Sequence, residues 1–154
     1  MNYLNYEFFD EFKALDVLCR DMYGESVDHK LGVTLYLEDM DEKYYQGASV
    51  ISGWESDYSE LKNARYLRNE LAHSRDSISI DMCTQEDIDF VRSFKTRILN
   101  QTDPLALLRK YTIEARRAAS AKQSQVEHTE ETSQKRDTGV WSLFKRIIKK
   151  IFKS

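Results

Sequence analysis

The run Tyr58-Ser59-Glu60-Leu61-Lys62-Asn63-Ala64-Arg65-Tyr66-Leu67-Arg68-Asn69-Glu70-Leu71-Ala72-His73-Ser74-Arg75-Asp76 decides how the chain is read. Tyr58, Leu61, Ala64, Leu67 and Leu71 recur at steps of three and four, which places them along one side of a helix. That helix is expected to begin near Ser56, with Asp57 and Glu60 in its first turn, where the N-terminal end of the helix dipole favours acids. It runs into Arg68 and His73, and the cluster from Ser74 to Ser77 then breaks it. Arginine is a permanent cation that can fork onto a phosphate, and histidine titrates near neutral pH. Here they stand at a helix end with four residues between them.

Upstream, Leu4, Phe8, Phe12, Leu15, Cys19 and Met22 form the stripe of a first helix, which Gly24 ends. A second pattern runs through Val33, Tyr36, Leu37, Met40 and Tyr44, with Glu38, Asp39, Asp41 and Glu42 on its solvent side. The Gly47 to Gly53 segment reads as the loop that follows. Downstream, Ser77 to Met82 alternates like an extended segment but is too short and isolated for a sheet, so it reads as a connector. Thr84 then caps a fourth helix, with Asp87 three residues on in a variant of the capping box, and Ile88, Val91, Phe94 and Ile98 give its apolar stripe. Asp103-Pro104 opens a fifth, with proline at the first helical position, and Leu105, Leu108 and Tyr111 would pack it back on the bundle.

The chain has 154 residues, with five glycines, one proline, 32% charged and 41% hydrophobic residues. Few breakers and ample charge predict an all-α protein, a four- to five-helix bundle over residues 1–118. Residues 119–138 are Ser, Gln, Glu, Thr and Lys with almost no apolar side chain, the composition of a disordered linker. Residues 139–154 differ in kind. At about 100° per residue, Trp141, Leu143, Phe144, Ile147, Ile148, Ile151 and Phe152 fill one half of a helical wheel, and Lys145, Arg146, Lys149, Lys150 and Lys153 with Ser142 fill the other.

Net charge is −3 overall, yet the last sixteen residues hold five bases and no acid, leaving the preceding 138 residues at −8. Nucleic-acid contact therefore has to be local rather than global. No secretory signal and no spanning-length apolar run is visible, so a cytoplasmic protein is expected, peripheral to the inner face of the membrane through its last helix. That helix would be roughly 22 Å long, too short for about 30 Å of hydrocarbon. Lying flat, it would put Trp141, Phe144, Ile148 and Ile151 into the acyl boundary and Lys145, Arg146, Lys149 and Lys150 against anionic headgroups. The alternatives are that this helix folds back onto the bundle, pairs with another chain or a helix-binding protein partner, or holds RNA with its basic face. Cys19 and Cys83 read as buried small apolar residues, and His29 and His128 as solvated. No phosphate loop, HExxH, nucleophile elbow or clustered ligand set is present, so no cofactor and no metal is expected, and acid–base chemistry is what remains.

Arg68-Asn69-Glu70-Leu71-Ala72-His73 resembles the R-x4-6-H signature of the HEPN superfamily, whose position after the arginine is often Asn, Asp or His. The resemblance is strongest from about Tyr58 to Asn100, and the chain also resembles small bacterial proteins of this length, which implies no mechanism. It implies a small helical bundle pairing as a homodimer, with a metal-independent endoribonuclease activity found in toxin, phage-defence and RNA-processing systems, and with an antitoxin as a further partner. Arg75 stands two residues after His73, where the nucleotidyltransferase-paired toxins often have Tyr, so that modification-controlled arrangement does not carry over.

Cleavage of RNA through its own 2′-hydroxyl needs a base for that proton, an acid for the leaving 5′-oxygen and a cation for the charge building on phosphorus-bound oxygens. His73 and Arg68 supply these roles, Asn69 can orient His73 or donate to the phosphate, and a second copy across a twofold interface supplies the second acid–base group. Five positions along a regular helix rotate a side chain by about 140°, so Arg68 and His73 share a face only if the helix unwinds near Ala72. The structural role weighed against catalysis pairs Arg68 with a carboxylate and leaves His73 at the helix C-terminus, in a noncatalytic module that binds RNA or a protein partner.

Overall fold

A computed structural model describes residues 3–24, 30–73 and 80–123. The expected membrane face from Trp141 to Ile151, the basic residues of the expected C-terminal helix, most of the expected 119–138 linker, His29, His128 and the expected break from Ser74 to Ser77 lie outside them. The chain divides into two units, residues 1–110 and 111–154.

The first unit is all-α, as the periodicity predicts: α1 (Tyr3–Tyr23), α2 (Gly32–Glu42), α3 (Tyr44–Val50), α4 (Trp54–His73) and α5 (Gln85–Leu99), followed by helix from residue 104. No strand occurs among the described residues. In the second unit, residues 111–123 are helical and nearly all exposed. Helix therefore continues past residue 119, where the linker was expected to begin, because Ala115, Arg116, Arg117, Ala118 and Ala119 are strong helix formers even without a buried face. Tyr111, expected to pack on the bundle, is exposed.

Helix α1 is the spine, packing against α2, α4 and α5. Phe8, Phe12, Leu15 and Cys19 are fully buried, as their spacing predicts, whereas Met22 is exposed near the helix end. Glu7 and Glu11 leave the same helix toward α5, where Arg92 Nη2 donates to Glu7 at 2.6 Å and Lys95 Nζ to Glu11 at 2.5 Å. The hydrogen bonds from Lys95 and then Arg92 hold the Glu11 carboxyl below its usual range.

Two polar residues of α1 are buried because each completes backbone elsewhere. Asp16 Oδ1 accepts from the Val33 N–H at 3.0 Å, capping α2, whose own N-cap Leu31 offers no side-chain acceptor. Asn5 Nδ2 donates to the Ile80 carbonyl at 2.6 Å, and its Oδ1 accepts from the Met82 N–H at 2.9 Å. Asn5 thereby moors the chain where it resumes after α4. Replacing Asn5 by leucine keeps the volume but leaves the Met82 N–H and Ile80 carbonyl without that partner. Both hydrogen bonds are part-buried, so a loss of about 1–2 kcal/mol is expected, toward the lower end of the about 1–3 kcal/mol that a buried unsatisfied group costs. A chemical-denaturation midpoint unchanged from the parent would refute this role for Asn5.

The Gly47 to Gly53 segment is a loop only in its second half, Ile51 to Gly53. Its first half is the end of α3, and Trp54, two residues before the expected start near Ser56, opens α4 as the largest fully buried side chain. Gly47 is there for packing rather than for a turn: a methyl group on it would collide with the Trp54 ring. Gly53, at φ 82°, makes the left-handed turn into α4. The later boundaries match the sequence. Thr84 and Asp87 form a reciprocal capping box at α5. Asp103, buried before Pro104, accepts from Ala106 N–H at 3.2 Å and from Tyr36 Oη at 2.5 Å.

Candidate functional site

The C-terminal half of α4 carries the three residues singled out above. Leu61, Ala64 and Leu71 anchor it to the core, with Leu67 half-buried beside them. This buried stripe fixes the rotation of the helix, and so determines where every other side chain leaves it.

Arg68 leaves next to the buried side, half-exposed, with its guanidinium carbon 5.7 Å from the centre of the Phe9 ring on α1. Its Nη1 donates to Asn69 Oδ1 at 3.2 Å. The pairing of Arg68 with a carboxylate of the bundle, which a structural role requires, does not occur among the described residues. A cation stacked on an aromatic face and held by an amide keeps its remaining donors for an incoming anion.

His73 is exposed and is not packed against the core. The helix remains regular through it, so the unwinding near Ala72 that would bring the pair together does not happen. At about 100° per residue, Arg68 and His73 point some 140° apart, and Asn69 leaves the helix between them, about 40° from His73. Of the three, the structure brings together Arg68 and Asn69. His73 stands one turn after Asn69 on the neighbouring flank.

Sequence reasoning missed Phe9, which supports Arg68 from another helix. Only tertiary structure reveals such a contact. It also passed over Lys62, Arg65 and Tyr66, although their spacing places them on the same outer arc as Asn69 and His73. Tyr66 is 60% exposed, a large aromatic surface on an otherwise charged helix. Lys62 Nζ lies 4.9 Å from the Tyr58 ring centre.

Neither cysteine belongs to this site. Cys19 and Cys83 are buried free thiols, and burial pushes Cys83 up to about 11, away from the reactive thiolate. No three His, Cys, Asp or Glu side chains gather as a metal-ligand group among the described residues, and no described helix is long and apolar enough to cross a membrane. An opening of about 300 Å³ beside Gly53 and Trp54 lies at the other end of α4 from His73.

Residues 6–150 match the model of a family described as a family of unknown function, DUF6548. The chain belongs to the DUF6548 family. The match takes in α2 to α5 and the Arg68–His73 segment. No curated protein and no solved structure matches this DUF6548 member.

Proposed function

We propose that this DUF6548 protein is a metal-independent endoribonuclease of HEPN type, acting as a homodimer whose cleft takes Arg68, Asn69 and His73 from both copies. What carries the reading is the arrangement around Asn69. A guanidinium seated on Phe9 and joined to Asn69 is paired with no carboxylate of the described residues, and an exposed histidine ends the helix one turn after Asn69. The angular separation of Arg68 and His73 favours two copies over one, because a phosphate held by Arg68 of one copy is reached by His73 of the other.

In that cleft one His73 takes the proton from the 2′-hydroxyl, and the 2′-oxygen attacks phosphorus. The phosphorus–5′-oxygen bond breaks, and the protonated His73 of the second copy gives its proton to the departing oxygen. Arg68 holds the charge on the nonbridging oxygens. The products are a 2′,3′-cyclic phosphate and a free 5′-hydroxyl.

The test is a cleavage assay on labelled single-stranded RNA and on DNA of the same sequence, with EDTA present. RNA cut to a 2′,3′-cyclic end and uncut DNA are expected, since DNA lacks the attacking hydroxyl. Activity abolished by EDTA, or full activity in a protein that sediments as a monomer, would overturn the mechanism. The regular helix through His73 also favours a second reading, a noncatalytic module that binds RNA or a protein through the same surface. RNA bound and left intact would support it.

A further inference from the structure

We infer that the outer face of α4, from Lys62 to His73, is a track for single-stranded RNA, with phosphates on Lys62 and Arg65 and a base stacked on Tyr66. The inference rests on the nuclease reading for its choice of nucleic acid, and it assigns residues outside the Arg68-Asn69-His73 set. Its first support is a contrast in charge pairing. Arg20, Lys30, Lys43, Arg92, Lys95 and Arg97 are each ion-paired in the first unit. Of the six other described bases of that unit, Lys13 lies on α1 and Arg109 and Lys110 on the helix from residue 104, while Lys62, Arg65 and Arg68 gather on α4; none of the six is paired with a carboxylate of the described residues, although the chain holds 26 acids against 23 bases. In a chain with acids to spare, successive turns of one helix carry bases left for another anion.

The second support is geometric. Lys62, Arg65, Tyr66, Asn69 and His73 fall within an arc of roughly 100° on α4, opposite the side that carries Ala64 and Leu71. The acids of the helix lie elsewhere: Glu55 and Asp57 in the first turn, Glu60 on another side, and Glu70 at the rim beyond Tyr66. From Lys62 to His73 the face extends about 16 Å, which spans several phosphates of one strand at roughly 3.4 Å or more each. Tyr66 offers the stacking platform that single strands use and duplexes deny. One exposed tyrosine among cations gives too little apolar area for a membrane surface. A strand laid along this face leads to Asn69 and His73 at its end.

The experiment measures binding of the full chain to a fluorescein-labelled single-stranded oligonucleotide, 2′-O-methylated so that it cannot be cut, by anisotropy across a salt series. Lys62→Gln and Arg65→Gln are each expected to weaken binding and to lower the slope of log affinity against log salt by about 0.7, one phosphate contact on a single strand. Tyr66→Ala is expected to weaken binding roughly tenfold and Tyr66→Phe to restore it. Lys43→Gln, which removes a base already paired with Asp39, is the control and should bind as the parent does. Parental binding by the α4 variants, an equal loss in Lys43→Gln, or no binding of the oligonucleotide overturns the inference. RNA cut by the parent and by α4 variants alike would end it while leaving the nuclease reading in place. RNA held along α4 but never cut would uphold the track and end the nuclease reading.

Discussion

His73→Ala is expected to lower the rate of RNA cleavage by roughly two to four orders of magnitude, the usual contribution of one positioned acid–base group. The side chain is exposed, so its removal opens no cavity, and the folded bundle should be unchanged. A thermal midpoint equal to the parent's, measured beside the rate, separates lost chemistry from lost structure. Because each cleft would use the histidines of both copies, an equal mixture of parent and His73→Ala chains should fall below half the parental rate once subunits have exchanged. A simple halving would point to each copy working alone. A rate in pure His73→Ala within a few-fold of the parent would remove His73 from the mechanism.

The largest loss of stability is expected from Gly32→Ala. Gly32 begins α2 against the backbone of α1, and a methyl group there would collide with the Asp16 carbonyl oxygen and the Arg20 amide nitrogen. Backbone on both sides cannot swing away as a side chain can, so the helices must separate. Separation also pulls the Asp16 carboxylate from the Val33 N–H. Overpacking of about 1–3 kcal/mol and loss of a cap worth about 1 kcal/mol add to roughly 3 kcal/mol, or about 12–24 °C in melting temperature for a domain near 100 residues. Gly24→Ala is the comparison. Gly24 also lacks a side chain but has open space around its would-be Cβ, and at φ 76° it carries only local strain, so its loss should be near 1 kcal/mol. Equal melting temperatures for the two variants would refute the close approach of α1 and α2.

Much of the fold was legible because helices with one buried side write a period into sequence. Phe8, Phe12 and Leu15, or Ile88, Val91 and Phe94, need no knowledge of their partners to be placed on a common stripe. Caps were legible for the same reason, since Thr84 with Asp87 and Asp103 with Pro104 act on their own neighbours. What escaped depends on distant residues. Gly47 looks like a turn residue until the Trp54 ring is set against it, and Asn5 looks like a solvent residue until its partners 75 and 77 positions away arrive. At the candidate site, the divergence of Arg68 from His73 could be computed from spacing alone. The seat of Arg68 on Phe9 and the lack of a carboxylate partner for Lys62 and Arg65 among the described residues could not, because each depends on which helix lies alongside.

The position of α1 at the centre of the bundle has a consequence during synthesis. It is made before the helices that pack on it, yet the partners of Glu7 and Glu11 on α5 lie 85 and 81 residues further along the chain. At roughly 5–20 residues per second, translation leaves that side of α1 waiting about 4–16 s for its neighbour. Within that interval α2 and then α4 become available to cover their parts of α1, while the side that meets α5 remains open to water and to any hydrophobic surface nearby. The same helix that organises the finished molecule is thus the nascent segment most exposed to capture by a chaperone or by another unfinished copy.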